Sequence, residues 1–310
     1  MRMIVVGIGV QGAKRRAVAR KDIVATVDSV RKEVDFRAVE DVPPSSYDAA
    51  LVCTPDSAKL EILRYLLSNG KHVLVEKPLV AATDDDIAAL AKLAQAKGLA
   101  CYTAYNHRFE PHFVRMRDLI ASGELGRIYT LRMFYGNGTA RLVRDSEWRD
   151  TGSGVLHDLG SHLLDTLRFW FDGFDRPFEI VAANKFENKA NDHVVLVAPG
   201  VPFIQLEMTM LMWRNHFVCD LLAENGSAHI ASLCKWGPAS FLHRRRVLPS
   251  GRPPEEQVTI VRDDPTWALE YQHFLELCET GGTNLDNDIW INRRLSEIAA
   301  PAPSSDGPGR

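Results

Sequence analysis

The chain has 310 residues, 45% of them apolar and 25% charged, with a formal net charge of −3. That length allows two domains with sizeable cores, and the near balance of interspersed charges argues against a nucleic-acid-binding body or an electrostatically held membrane partner. Five scattered cysteines, with no CxxC pair, point to a reduced, cytoplasmic setting; no secretory leader precedes "MIVVGIG", and no apolar run reaches the roughly 20 residues of a membrane span.

Strand and helix alternate through the first hundred residues. "MIVVGIG" is nearly continuously apolar, as in a parallel strand covered on both faces. A helix over "VQGAKRRAVAR" and a strand over "DIVATVD" follow. "YDAALVCTP" is a third strand, stopped by Pro55, and "DSAKLEILRYLLSNG" an amphipathic helix closed by glycine. "KHVLVEKP" is a strand, "ATDDDIAALAKLAQAKG" a helix opened by Thr83 and acidic residues, and "LACYTAY" a fifth strand. This order implies a doubly wound parallel sheet of Rossmann type over residues 1–109.

The pattern then changes. A helix, "PHFVRMRDLIASGELG", and a long strand, "RIYTLRMFYGNG", lead into an apolar helix carrying "GVLHDLGSHLLD". Five strand-like runs then succeed one another without helices: "FEIVAANKF", "DHVVLVA", "FIQLEMTML", "HFVCDLLAE" and "SAHIASL". Residues 110–298 therefore read as an α+β domain on a large, mostly antiparallel sheet, and 299–310 as a flexible tail. "HRRRVLPSGRPPEE" reads as a solvated surface hairpin, and the last helix as "DPTWALEYQHFLELCETGG" or the run after it.

"GIGVQG" is Gly7-x-Gly9-x-x-Gly12, directly after a strand and opening a helix. Gly7 permits the tight turn, Gly9 lets the backbone approach a pyrophosphate, and Gly12 lets helix and strand pack closely. Val10 and Gln11 open the helix, whose free N–H groups suit phosphate. Asp28 ends the second strand, where a carboxylate can accept hydrogen bonds from ribose hydroxyls. The reading is dinucleotide binding, with NAD favoured and NADP possible. Lys14, Arg15 and Arg16 read as a solvated helix face rather than a phosphate site.

Four ordered motifs, "CTPD", "EKP", "YNHRF" and "WRDTGSGVLHDLGSHLLD", resemble those of the glucose–fructose oxidoreductase/inositol dehydrogenase (Gfo/Idh/MocA) family, in register over about residues 1–170. The resemblance implies an NAD(P)-dependent oxidoreductase acting on a hydroxyl or ketone of a sugar, cyclitol or sugar derivative. It implies His162 as the acid/base and Asp158 as the group that orients it or binds substrate. Lys77 would polarise the reacting oxygen and contact the cofactor. Thr54, Pro55, Glu76 and Asn106 become cofactor contacts. Arg108, Trp148, Arg149 and Asp165 become candidate substrate contacts, with Asp165 equally readable as structural. On a regular helix 158, 162 and 165 share one face. His157 points elsewhere, which disfavours a metal at His157, Asp158 and His162. A homodimer or homotetramer through the second sheet's open face is expected by resemblance only. Two other readings stay open: a dinucleotide sensor without turnover, and a biliverdin reductase-like enzyme acting on C=C or imine bonds.

Two features depart from the family pattern. Only 18 residues separate Asp28 from Tyr47, too few for the usual helix, so the adenine side should be more open. Lys59 stands where the family commonly has histidine, a cation that could still touch the cofactor.

Overall fold

The computed structural model describes residues 1–146 and 150–299; the expected tail from 300 on lies outside them. In chain order, β1 (Met3–Val6), α1 (Val10–Ala19), β2 (Ile23–Val27), β3 (Ala49–Val52), α2 (Asp56–Ser68), β4 (His72–Glu76), α3 (Asp84–Ala96) and β5 (Ala100–Ala104) follow the alternation read from the sequence. Next come α4 (Pro111–Ala121), β6 (Ile128–Gly136) and α5 (Ala140–Arg144). A π-helical turn (Leu156–Gly160) runs into α6 (Ser161–Trp170). The strands β7 (Glu179–Asn184), β8 (His193–Ala198), β9 (Phe203–Thr209), β10 (His216–Ala223), β11 (Gly226–Ala231), β12 (Ala239–Arg245) and β13 (Glu255–Ile260) precede α7 (Thr266–Thr280), β14 (Gly282–Thr283) and α8 (Leu285–Ala299). The chain divides into two compact units, Met1–Phe113 with Asp264–Asn292, and Val114–Asp263 with the chain from Arg293.

The first unit holds a parallel sheet in the order β14-β5-β4-β3-β1-β2. Its strands β1 and β3 are apolar throughout because helices cover both faces. Leu63, Leu66, Ile87 and Leu90 of α2 and α3 pack on one face; Ala19 of α1 and Tyr271 and Phe274 of α7 pack on the other. Thr83 caps α3 as expected, accepting the Asp86 N–H while Asp86 accepts the Thr83 N–H. β14 was not visible in the sequence. Its pairing beside β5 returns residues 264–292 to the first unit, a return that a linear reading of 110–298 as one domain does not contain.

Between β2 and β3 there is no α-helix, only two 3₁₀ turns, Val39–Asp41 and Pro44–Ser46. Phe36 alone bridges Val27 in parallel, on the outer edge of β2. The common doubly wound order places a full third strand at that position; here it is reduced to one residue.

The second unit carries an eight-stranded sheet in the order β13-β12-β11-β10-β6-β9-β8-β7, antiparallel except between β6 and β9. Burial alternates along β8 and β10 and along β9 as far as Met208, which gives one buried face and one outward face. The expected surface hairpin around 243–256 is the β12–β13 pair. No described helix is long and apolar enough to cross a membrane.

Candidate functional site

In the first unit the glycines form a cradle. Gly7 has φ +90°, and a Cβ there would lie 2.7 Å from the Cys53 carbonyl oxygen. A Cβ on Gly12 would lie 2.0 Å from the Gly7 oxygen, whereas one on Gly9 would meet nothing within 4 Å. Gly7 and Gly12 are therefore required by the fold, and Gly9 leaves an open space above the turn. α1 begins just there with no side-chain cap and no acidic residue in its first turn. Its first N–H groups, at exposed Val10 and Gln11, remain available to an anion. Beside the turn, the Thr54 hydroxyl oxygen is buried without a partner, and Pro55 leads into α2. An open glycine, an uncapped helix start and an orphaned hydroxyl fit a dinucleotide.

Asp28 closes the cradle. One carboxylate oxygen accepts the Ile8 N–H at 2.8 Å, and the other accepts the Val30 and Arg31 N–H groups at 2.9 Å. Partial burial works to raise its pKa, but these donors outweigh it and hold the carboxylate below its ordinary value. Asp28 thus stays ionised and ties the glycine turn to the loop after β2.

Two cations read from the sequence as exposed or as cofactor-facing are interior. Arg15 is 1% exposed. It donates to Glu76 and to Glu270 at 2.7 Å each, and its guanidinium carbon sits 4.4 Å from the Trp267 ring centroid. This corrects the solvated-face reading for Arg15. The same pair engages one carboxylate oxygen of Glu76, the residue expected at the cofactor. The signal was hidden: α1 is polar by composition, and one partner comes 255 residues later. Lys59 is 2% exposed; it donates to the Pro78 carbonyl at 2.8 Å and pairs with Asp56 at 2.7 Å, so it serves the protein rather than a cofactor. Lys77 lies between these anchored neighbours and is half-buried. Asn106 is nearly buried and donates its amide to Thr266 at 2.8 Å; Arg108 is half-buried.

In the second unit, Asp158 lies on the π-turn and His162 on the first turn of α6. The regular-helix face drawn through 158, 162 and 165 is corrected by that wider turn, which changes the angular step before α6 begins. Two glycines allow the segment to pack. A Cβ on Gly154 would lie 2.2 Å from the Asn191 oxygen, and one on Gly160 would press on Leu156 and on Met208 of β9. Asp158 is half-buried and His162 is 7% exposed, its ring 6.1 Å from that of Tyr135 on β6. Tyr135 in turn contacts Trp236 and lies under Lys235, residues that no sequence motif marked. Asp165 is wholly buried; of its two readings, burial fits the structural one and not substrate contact. Trp148 and Arg149 lie outside the described residues. Among the described residues, no three metal-ligating side chains cluster.

A family model described as "Oxidoreductase family, NAD-binding Rossmann fold" matches residues 2–105, and one described as "GFO/IDH/MocA C-terminal domain" matches 113–229. The chain is 28% identical over 184 residues to scyllo-inositol 2-dehydrogenase (NADP(+)) IolW of Bacillus subtilis, covering 56% of this chain and 49% of that one. It is 34% identical over 163 residues to 1,5-anhydro-D-fructose reductase of Ensifer adhaerens, covering 51% and 47%. In both cases the match spans about half of the relative's length. Levoglucosan dehydrogenase in complex with NADH and levoglucosan shares the fold, with a TM-score of 0.78, 18% identity and 96% coverage of each chain.

Proposed function

Given that this chain belongs to the Gfo/Idh/MocA oxidoreductase family, we propose that it transfers a hydride between NAD(H) and a hydroxyl or ketone carbon of a sugar, cyclitol or sugar derivative. A bound nicotinamide ring supplies the hydride acceptor or donor. The remaining chemistry belongs to side chains. In the oxidising direction, the His162 imidazole takes the hydroxyl proton as the carbinol carbon loses its hydride; in reduction it returns the proton. Asp158, on the turn before α6, orients the imidazole or holds a neighbouring hydroxyl. The Lys77 ammonium donates to the reacting oxygen, favouring the charge that builds there, and to the nicotinamide ribose. Gly9, Val10, Gln11, Gly12 and Thr54 hold the pyrophosphate, and Asp28 faces the adenosine ribose.

The observation that carries this reading is the placement of His162: nearly buried, on the first turn of α6, directly after the π-turn that bears Asp158. The test is turnover of NAD⁺ and NADP⁺ at 340 nm with scyllo-inositol and levoglucosan, and of NADH and NADPH with 1,5-anhydro-D-fructose. His162→Ala should lower kcat on the order of 10²–10⁴. A correctly folded His162→Ala protein with wild-type kcat removes His162 from the mechanism.

The shortened β2–β3 crossover favours a second reading, a dinucleotide sensor; tight NADH binding with no turnover across the panel would support it. The proposal includes a reducing cytoplasmic setting, supported by five cysteines without a disulfide. It also includes self-association through the outward sheet face, where Phe203 and Leu222 are exposed; light scattering would test that.

A further inference from the structure

We infer that Lys59 is a positioning residue for Lys77, one jaw of a two-sided clamp on the Glu76-Lys77-Pro78 exit from β4. The inference rests on the proposed role of Lys77 at the cofactor. A strand exit is normally mobile, because its backbone has left the sheet ladder and its side chains face outward. Here both neighbours of Lys77 are pinned from opposite faces of the sheet. α1 lies on one face, and its Arg15 binds the Glu76 carboxylate at 2.7 Å. α2 lies on the other, and its Lys59 donates to the Pro78 carbonyl at 2.8 Å.

Burying a lysine ammonium is costly unless charge and hydrogen bonds compensate. Lys59 is 2% exposed and is compensated by Asp56 at 2.7 Å, a residue on the first turn of the same helix. Among the described residues, the fold therefore maintains a desolvated charge whose one bond outside α2 goes to the backbone beside Lys77. A hydrogen bond from a charged donor is stronger than a neutral one, so the carbonyl is held firmly. An aliphatic residue at 59 could be buried without a compensating charge but would leave the Pro78 carbonyl without this donor. With one side of the clamp open, Lys77 samples more orientations and meets its partner in fewer of them.

The test is a double-mutant cycle read by NADH titration calorimetry, with thermal melting alongside: wild type, Lys59→Met, Lys77→Ala and the double variant. Lys59→Met should weaken NADH binding about fivefold, the scale of one lost hydrogen bond. In the Lys77→Ala background the same change should cost less than about twofold, because the residue it acts through is gone. Lys59→Arg, which keeps a charged donor, should recover most of the affinity, and it also serves if the methionine variant folds poorly. Equal losses in both backgrounds, or wild-type affinity in Lys59→Met while Lys77→Ala is weakened, overturn the clamp. If Lys77→Ala alone binds NADH as wild type does, the assignment of Lys77 to the cofactor fails, and the clamp falls with it. A purely structural role for Lys59 would lower the melting temperature and leave the cycle additive.

Discussion

The cradle makes a sharp prediction about two glycines three residues apart. Alanine at Gly9 would place its Cβ in open space, and the backbone there, φ −78° and ψ −160°, is one that any residue adopts. The unliganded fold should tolerate it, and replacing a glycine in a compatible conformation stabilises by roughly 0.4–1 kcal/mol through the unfolded chain. Alanine at Gly12 would place its Cβ 2.0 Å from the Gly7 oxygen and 3.0 Å from the Gly7 carbonyl carbon. Those are backbone atoms, and Gly7 is itself pressed against Cys53, so neither side can yield. Overpacking of this kind costs about 1–3 kcal/mol or more, a fall of roughly 2–4 °C in Tm per kcal/mol for a domain of this size. Cofactor binding inverts the ranking. NADH at 100 times its Kd adds about 2.7 kcal/mol to wild-type stability. If the Gly9 methyl occupies the space of a phosphate and weakens binding tenfold, the same NADH concentration adds only about 1.4 kcal/mol. Melting curves with and without NADH read both effects: Gly9→Ala should melt at or above wild type alone and show about half the ligand-induced rise. Gly9→Ala with the full wild-type rise would falsify the assignment of this turn to the pyrophosphate. Gly12→Ala melting like wild type would show that the turn can relax.

Other outcomes follow from the ionic contacts. Arg15→Met leaves Glu76 and Glu270 buried without their cation, and breaking a buried ion pair costs about 3–5 kcal/mol; urea unfolding should show a loss of that order, and a loss below 1 kcal/mol would mean the carboxylates find other partners. Asp48 is bound by Arg2 at 2.7 Å, which holds its pKa at about 2. A depressed carboxylate stabilises the fold above its unfolded pKa and ceases to as pH falls toward 2, so the gap between wild type and Asp48→Asn should narrow over that range; a constant gap would contradict the shift. The ionised Asp28 at the end of β2 should repel a 2′-phosphate, so NADH should bind at least about tenfold more tightly than NADPH. Equal or tighter NADPH binding would instead assign Ser29 and Arg31 to the phosphate.

Local rules carried the sequence reading far. The glycine spacing, the apolar strands, Pro55 as a stop, Thr83 as a cap and the alternating strands of the second sheet all act within a few residues, and each appears where expected. The missing helix after β2 was legible as a simple shortage of chain. What escaped depends on distant partners or on subtle backbone geometry. Nothing in "AKRRA" separates Arg15 from Arg16 until Glu270 and Trp267 arrive from α7. β14 is only two residues long, below any periodicity. The π-turn differs from an α-turn by one hydrogen-bond step, which composition does not record. Lys59 could be located by motif, but its direction depends on a carbonyl 19 residues away.

The return of the chain to its first sheet bears on how the molecule is made. While residues 1–113 are emerging from the ribosome, β5 has no neighbour on its outer side, and Arg15 has only one of its two carboxylates. The missing groups, β14 and Glu270, come from segments synthesised only after residues 114–263. Until then the edge of "ACYTA" presents unpaired backbone groups, the kind of surface that seeks another strand. A nascent or truncated chain is therefore open on one edge and electrostatically incomplete beneath its glycine turn. Synthesis of α7 and β14 closes the edge and balances the charge together, so competence to hold a dinucleotide should arrive with those two elements rather than with residues 1–113.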